Sequence, residues 1–380
     1  MTIDLTAAEE VFAASTDGTV GLEEEFAILD PATLDLVPRF DDLRDSAEPE
    51  LAAHITGELI ASEIEIVSGR GEDLADAQAR QRAARRRLFA HVHAHGLALG
   101  ACGTHPWADY REQVNIDTEH YRRVVEGLGY AARRNNTFSL HVHVGVQGVE
   151  RAVRVCDRVR PILPLLLAAS ASSPFLEGRD TLLHSARTEI FTRTFPRCGI
   201  PDAFGSWVAY REYIELLIAT RSIVEYTQVW WSVRPHFSFG TVEVRICDAQ
   251  ATASESEALA ALIVACVLAA ARDVDAGVPF IDPAPRLVEE NMWRAIRHGM
   301  DGRQIDFGAD GTAATAREID AREALERLAA WAGHDLALPD RNAAQRQRAH
   351  LAAGATLSEV YASVVEETRE SYGRATEPIR

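Results

Sequence analysis

Residues 19–30 read TVGLEEEFAILD, three consecutive carboxylates inside a stretch whose other residues favour a β-strand. Successive side chains of a strand point to opposite faces, so Glu23 and Glu25 share one face with Gly21 and Ala27. Glu24 then joins Leu22, Phe26 and Ile28 on the other. Two acids side by side on a half-buried surface repel each other unless cations or hydrogen-bond donors offset them, which is what a metal site provides. Taken alone, a solvated acidic edge strand fits the same pattern. The pattern recurs in HITGELIASEIEIVSG, which holds Glu58, Glu63 and Glu65, the last two sharing a face. Two such strands can line opposite walls of one cleft and supply the several oxygen ligands that hard cations require; the alternative is two solvated edges.

Two further strands carry chemistry. SLHVHVGV places His141 and His143 on one face and Val142 and Val144 on the other, a good disposition for metal ligands or for a simple hydrogen-bonded pair. FGTVEVRICD places Glu243, Arg245 and Cys247 opposite Val242, Val244 and Ile246. Beside the other strands, Glu243 would bind metal and Arg245 would reach a phosphate oxygen; in isolation the two are an ion pair. Arg234, before Pro235, adds a second cation. His91, His93 and His95 close a helix instead, where partial positive charge is favourable, and read as structural.

Composition narrows the options. The chain contains no lysine, so all 39 basic residues are arginine. That excludes a Walker A loop, a Schiff-base nucleophile and a carbamylated-lysine metal bridge; phosphate must be met by arginine and divalent metal. A net charge of −18 argues against nucleic-acid or anionic-membrane partners. Five widely spaced cysteines without a CxxC pair read as free thiols, and the longest apolar run, Ala258 to Ala271, is too short to span a bilayer. The expectation is a cytoplasmic protein acting on small molecules.

These residues need elements to position them. The first half alternates strands with helices: an arginine-rich helix over Leu74 to Gly96, a strand over Leu97 to Cys102 and a helix from Thr118 to Gly127. After the histidine strand, Val149 to Ser172 reads as helix, FTRTFPRCGIPDAFGSW as loop, and Tyr210 to Thr220 as helix. WWSVRPHF and FGTVEVRICD read as a strand pair turning at Gly240. Beyond Asp248 helices dominate: the alanine-rich helix capped by Thr252, then LVEENMWRAIRHGMDG, Glu323 to Ala332 and Ser358 to Ser371. The expected architecture is one α+β domain over residues 1–380, its strands mostly antiparallel, with a two-domain split as the alternative.

GLEEEF, ITGELIASEIE, GTHPWA, HVHVGV, RCGIPDAFGSW, WWSVRP, GTVEVRICD and ENMWRAIRHG, in this order over residues 21–299, resemble the glutamate–cysteine ligase type 2 family, the YbdK-like carboxylate-amine ligases. Residues 300–380 add helices but no motif. The resemblance implies a glutamine-synthetase-like fold, a curved, mainly antiparallel sheet forming a funnel with helices outside. It implies ATP-dependent amide formation with Mg²⁺ or Mn²⁺, plausibly joining glutamate to cysteine through an acyl phosphate, and a homodimer. Residue by residue, it assigns Glu23, Glu25, Glu58, Glu65, His141, His143 and Glu243 to metal. Arg245 falls to the transferred phosphoryl group, making Arg245, Glu25 and Glu243 the catalytic set, and Arg234, Arg193 and Arg197 to nucleotide or substrate. The competing readings are a metal-dependent amide hydrolase built on the HVH strand and a non-catalytic nucleotide-binding homologue.

Overall fold

The ten-residue strand Val20–Leu29 (β1) is the spine of a seven-stranded sheet. The computed structural model describes residues 5–308, 311–312 and 314–373. The other strands are Ile55–Thr56 (β2), Glu63–Val67 (β3), Ala98–Gly100 (β4), Ser139–Gly145 (β5), Val233–His236 (β6) and Thr241–Asp248 (β7). Their order is β6-β7-β5-β1-β3-β2, with β4 pairing the far half of β1, and every pairing is antiparallel. The fold is therefore α+β with a mainly antiparallel sheet.

Helices relevant to the site are Leu74–Ala94 (α1), Val149–Val159 (α2), Leu163–Ser170 (α3), Ala186–Thr194 (α4), Ala253–Asp275 (α5) and Leu357–Gly373 (α6). Leu22, Leu140, Val142, Val144, Val233, Val242 and Val244 form the apolar face of the sheet and pack in one core with residues of α2, α3 and α5. Alternation along each strand thus sends the valines under the helices and leaves the acids and histidines on the opposite face.

The third carboxylate of the opening strand lies on the helix side. Glu24 is buried there, and Arg85 of α1 clasps both its oxygens, Nε at 2.6 Å and Nη2 at 2.5 Å. Gln81 donates at 2.8 Å, and Ser256 at the start of α5 also donates to it. Burial pushes the Glu24 carboxyl upward, but Arg85 outweighs it and holds the group below its usual range. A two-point clasp with extra donors is how a buried carboxylate offsets its lost hydration.

Several elements differ from expectation. The helix expected over Val149 to Ser172 is divided by a 3₁₀ turn at Arg160–Ile162, because Pro161 lacks an amide proton and its ring clashes with the preceding turn. The stretch from Phe191 opens inside α4 instead of in a loop. Residues after Asp248 include a hairpin, Arg303–Asp306 with Arg317–Asp320, and a further helix, Ala343–Ala352. Cys247 does not share the face of Glu243: the β7–β5 register shifts between Val244 and Cys247, and the extra residue turns Cys247 opposite Leu140 into the core. Among the described residues the five cysteines are unpaired, and no helix is long and apolar enough to cross a membrane.

Arg85→Ala strands a buried carboxylate and is expected to cost ~3–5 kcal/mol of unfolding free energy in denaturant titrations. The double variant Glu24→Leu/Arg85→Met should recover most of that loss. A single-variant cost below ~1 kcal/mol would show that the pair does not hold the sheet to α1.

Candidate active site

Strand register brings the charged residues into rows. Gly21, His143, Glu243 and Arg234 stand opposite one another across β1, β5, β7 and β6. One step along β1, Glu23 faces His141; two residues further Glu25 faces Glu65, and then Ala27 faces Glu63. A Cβ on Gly21 would sit 3.4 Å from the Cβ of His143, so this row is tightly spaced. Glu58 comes from the loop between β2 and β3 and not from a strand.

Glu23 bridges the two histidines, its oxygens 3.0 Å from Nδ1 of His141 and 3.0 Å from Nε2 of His143. Ser139 donates to Glu25 from its amide at 2.5 Å and from its hydroxyl at 2.6 Å, and that hydroxyl lies 2.8 Å from Nε2 of His141. Glu243 accepts from Arg234 Nε at 2.6 Å and from Arg245 Nη1. Nε of Arg245 is buried without a partner.

Electrostatics divides these acids into two groups. Burial pushes Glu23 and Glu243 upward, but His143 for the first, and Arg234 and Arg245 for the second, outweigh it and hold both carboxyls well below their usual range. Glu58, Glu63 and Glu65 go the other way. Burial, and then repulsion from Glu25 and other neighbouring carboxylates, pushes Glu58 up to about 8. The same combination takes Glu63 and Glu65 well above the usual value, and Oε2 of Glu63 is buried with no partner. Burial, aided by Arg245, keeps His141 below its usual value, the neutral form that ligates metal.

This donor set fits divalent cations. Glu23, His141 and Glu243 bring one ligand atom each within 4.8 Å of one another, and so do Glu25, Glu65 and His141. Carboxylate and imidazole ligands in this number suit Mg²⁺ or Mn²⁺, and the orphaned oxygen of Glu63 is the kind of uncompensated acceptor that a cation satisfies.

Glu25, Glu58, Glu63, His141 and Arg245 line one cleft. Arg234 is buried and committed to Glu243 and to the carbonyls of Thr227 and Val229. Arg197 donates to the Gln228 carbonyl at 3.0 Å and lies 5.8 Å over the Trp230 ring, so it backs a wall residue of the cleft. Arg193 is not brought to the cleft: it is exposed on α4, 2.8 Å from Glu289, and lines a separate cavity. Helical spacing explains the difference, since Arg193 is six residues from Arg187, on another face of α4.

Arg187 is the cleft residue that the strand motifs did not reveal. It is buried and its guanidinium donates to the carbonyls of Ile246 and Arg245 at 3.1 and 3.2 Å. Phe191, Phe195, Trp230, Tyr121 and Val124 were also unassigned. Because the stretch from Phe191 reads as loop in the sequence, nothing there placed Arg187 and Phe191 on one helix face.

Comparison with known proteins bears on this arrangement. Residues 19–377 match the family model described as glutamate–cysteine ligase family 2. A relative from Rubrobacter xylanophilus, provisionally named glutamate–cysteine ligase 2-2, is 40% identical over 322 residues, 84% of this chain and 82% of its own. Another from Paracoccus denitrificans, provisionally named glutamate–cysteine ligase 2, is 34% identical over 362 residues, 91% of this chain and 95% of its own. Among solved structures, the fold is similar to Francisella tularensis glutamate–cysteine ligase in complex with AMP (TM-score 0.67, 10% identity, 95% of this chain and 90% of that one). It is also similar to a bifunctional glutathione synthetase from Pasteurella multocida (TM-score 0.59, 13% identity, 97% of this chain). The chain spans about half of that enzyme, 54% of its length.

The raised carboxyls predict a pH dependence for the metal-free protein. Glu58 binds a proton in the folded state up to about pH 8 but, once unfolded, releases it near 4.5, so its contribution to stability falls as pH rises through that window. Thermal melts in chelator should therefore show Tm falling between pH 5 and 8, and millimolar Mg²⁺ should restore it increasingly toward pH 8. A Tm independent of both pH and Mg²⁺ would mean that the acids do not form a cation site.

Proposed function

The chain belongs to glutamate–cysteine ligase family 2, and from that premise we propose that it is an ATP-dependent carboxylate-amine ligase working through an acyl phosphate. The observation that carries this reading is the assembly of Glu23, Glu25, Glu65, His141 and Glu243 on one sheet face, with Glu58 and Arg245 beside them at a single cleft. The proposed donor is the γ-carboxylate of L-glutamate. L-Cysteine is a weak acceptor, giving γ-glutamylcysteine. Residues 1–380 act as one catalytic unit, a reading supported by Tyr372 of α6, whose hydroxyl donates to the Gln250 carbonyl just after β7.

A carboxylate does not acylate an amine directly, because oxide would have to leave. In the first step a carboxylate oxygen attacks the γ-phosphorus of ATP, the bond to the β-phosphate oxygen breaks, and ADP leaves with the electron pair. Glu23, Glu25, Glu58, Glu65, His141 and Glu243 would hold Mg²⁺ or Mn²⁺, with His143 orienting Glu23, and the bound ion would supply the positive charge that lets two anions meet. Arg245 meets the phosphoryl oxygens as charge develops on them, and its unpartnered Nε provides a donor for that purpose. Arg234 keeps Glu243 in place, so that a ligand carboxylate does not swing toward Arg245 alone. In the second step a neutral amine attacks the carbonyl carbon, the C–N bond forms, and the C–O bond to phosphate breaks. Phosphate leaves with that electron pair and takes up the proton the amine loses.

Glu25→Gln and Glu243→Gln are each expected to lower amine-dependent ADP release by ~10³-fold or more while circular dichroism stays that of the wild type. Arg245→Ala should lower it by ~10²–10³-fold. A near-wild-type rate in either glutamine variant would remove the metal-assisted ligase reading. Amide cleavage without ATP would replace it with the hydrolase built on the His141–His143 strand.

A further inference from the structure

The cleft lining is of two kinds. Part of it is charged, with Glu25, Glu58, Glu63, Arg187 and Arg245, while Leu59, Val124, Phe191, Phe195 and Trp230 make an apolar wall. Leu59 and Val124 are buried in one small apolar cluster against which Trp230 packs. Phe195 joins that wall to α4, its ring 6.1 Å from Trp230 edge-to-face and 4.9 Å from Phe191. The neighbouring polar groups are already engaged: Tyr121 donates to the Gly57 carbonyl, and Nδ1 of His120 lies 3.0 Å from Glu225.

Resting on the ligase reading, we infer that the preferred acceptor is a primary amine bearing an aromatic or bulky apolar substituent, which this wall holds. The donor's reacting carboxylate must lie at the charged part of the lining, beside Arg245 and the acids assigned to metal. The attacking amine approaches that carboxylate from the rest of the cleft, so its substituent falls along the wall. A flat apolar group there removes water from the half-buried rings of Phe191 and Trp230, whereas the short side chain of cysteine leaves them wet. The wall also serves the chemistry: a desolvated surface favours the uncharged amine over the ammonium ion, and only the former has a lone pair for attack.

The test measures ADP release with ATP, Mg²⁺ and L-glutamate at varied concentrations of 2-phenylethylamine, ethylamine and cysteine. The expected result is a kcat/KM for 2-phenylethylamine about 10²-fold above that for ethylamine, and above that for cysteine. Trp230→Ala and Phe195→Leu should each cut the phenylethylamine-to-ethylamine ratio by about tenfold, mainly through KM, with circular dichroism confirming the fold. Amine-dependent ADP release with equal kcat/KM for the two amines, or with cysteine preferred, would overturn the inference while the ligase reading stands. An unchanged ratio in both folded variants would overturn it too. ADP release that no amine stimulates would overturn the ligase reading and the inference together.

Discussion

Glu25, Glu63 and Glu65 are buried with the half-buried Glu58 close beside them, and a protein can keep such a cluster only by protonating it or by bringing in positive charge. The chain itself supplies little at this point. Arg245 is the arginine nearest in effect, and it is drawn onto Glu243. Until cations arrive the cluster keeps its protons, and the strands and loop around it fix where cations must sit.

The contrast with the other acids of the same sheet makes the point. Glu24 carries Arg85, Gln81 and Ser256; Glu243 carries Arg234 and Arg245; Glu23 lies between two histidines. Each is held below its usual range, whereas Glu58, Glu63 and Glu65 are raised. One sheet thus carries compensated acids on both faces, Glu24 toward the helices and Glu23 and Glu243 toward the cleft, and beside the latter an uncompensated patch, which is able to bind. Three successive glutamates serve both, because strand parity sends the middle one to the helices and the outer two to the cleft.

Parity also explains which parts were legible in the sequence. Alternation alone placed Glu23 with Glu25, Glu63 with Glu65, and His141 with His143, since these pairs lie within single strands. It failed at Cys247, where a bulge adds a residue that leaves no mark in the residue pattern. Pairing between strands was not readable: nothing in the spacing says that Glu23 faces His141 or that Glu243 faces His143, which depends on turns and on long-range register. Arg85 and Arg187 were hidden for a related reason. Each acts from a helix on a strand distant in sequence, and an arginine in an amphipathic helix looks like any solvated one until its partner is known. Arg193, in the same loop-like stretch as Arg197, shows the converse, a basic residue near the right motif but turned to the exterior.

A single lysine ammonium could offset only one of the carboxylates of Glu25, Glu58, Glu63 and Glu65, and its flexible stem would not fix which one. Arginine's rigid fork instead commits to defined partners: Arg234 to Glu243 and two carbonyls, Arg187 to the carbonyls of Arg245 and Ile246. Each fixed arginine therefore shapes one wall of the cleft without flooding it with mobile positive charge. The cations that balance the remaining acids then come from solution, where they can arrive together with phosphate-bearing ligands, so that an acidic protein concentrates anions only at the place where its own carboxylates have been left uncompensated.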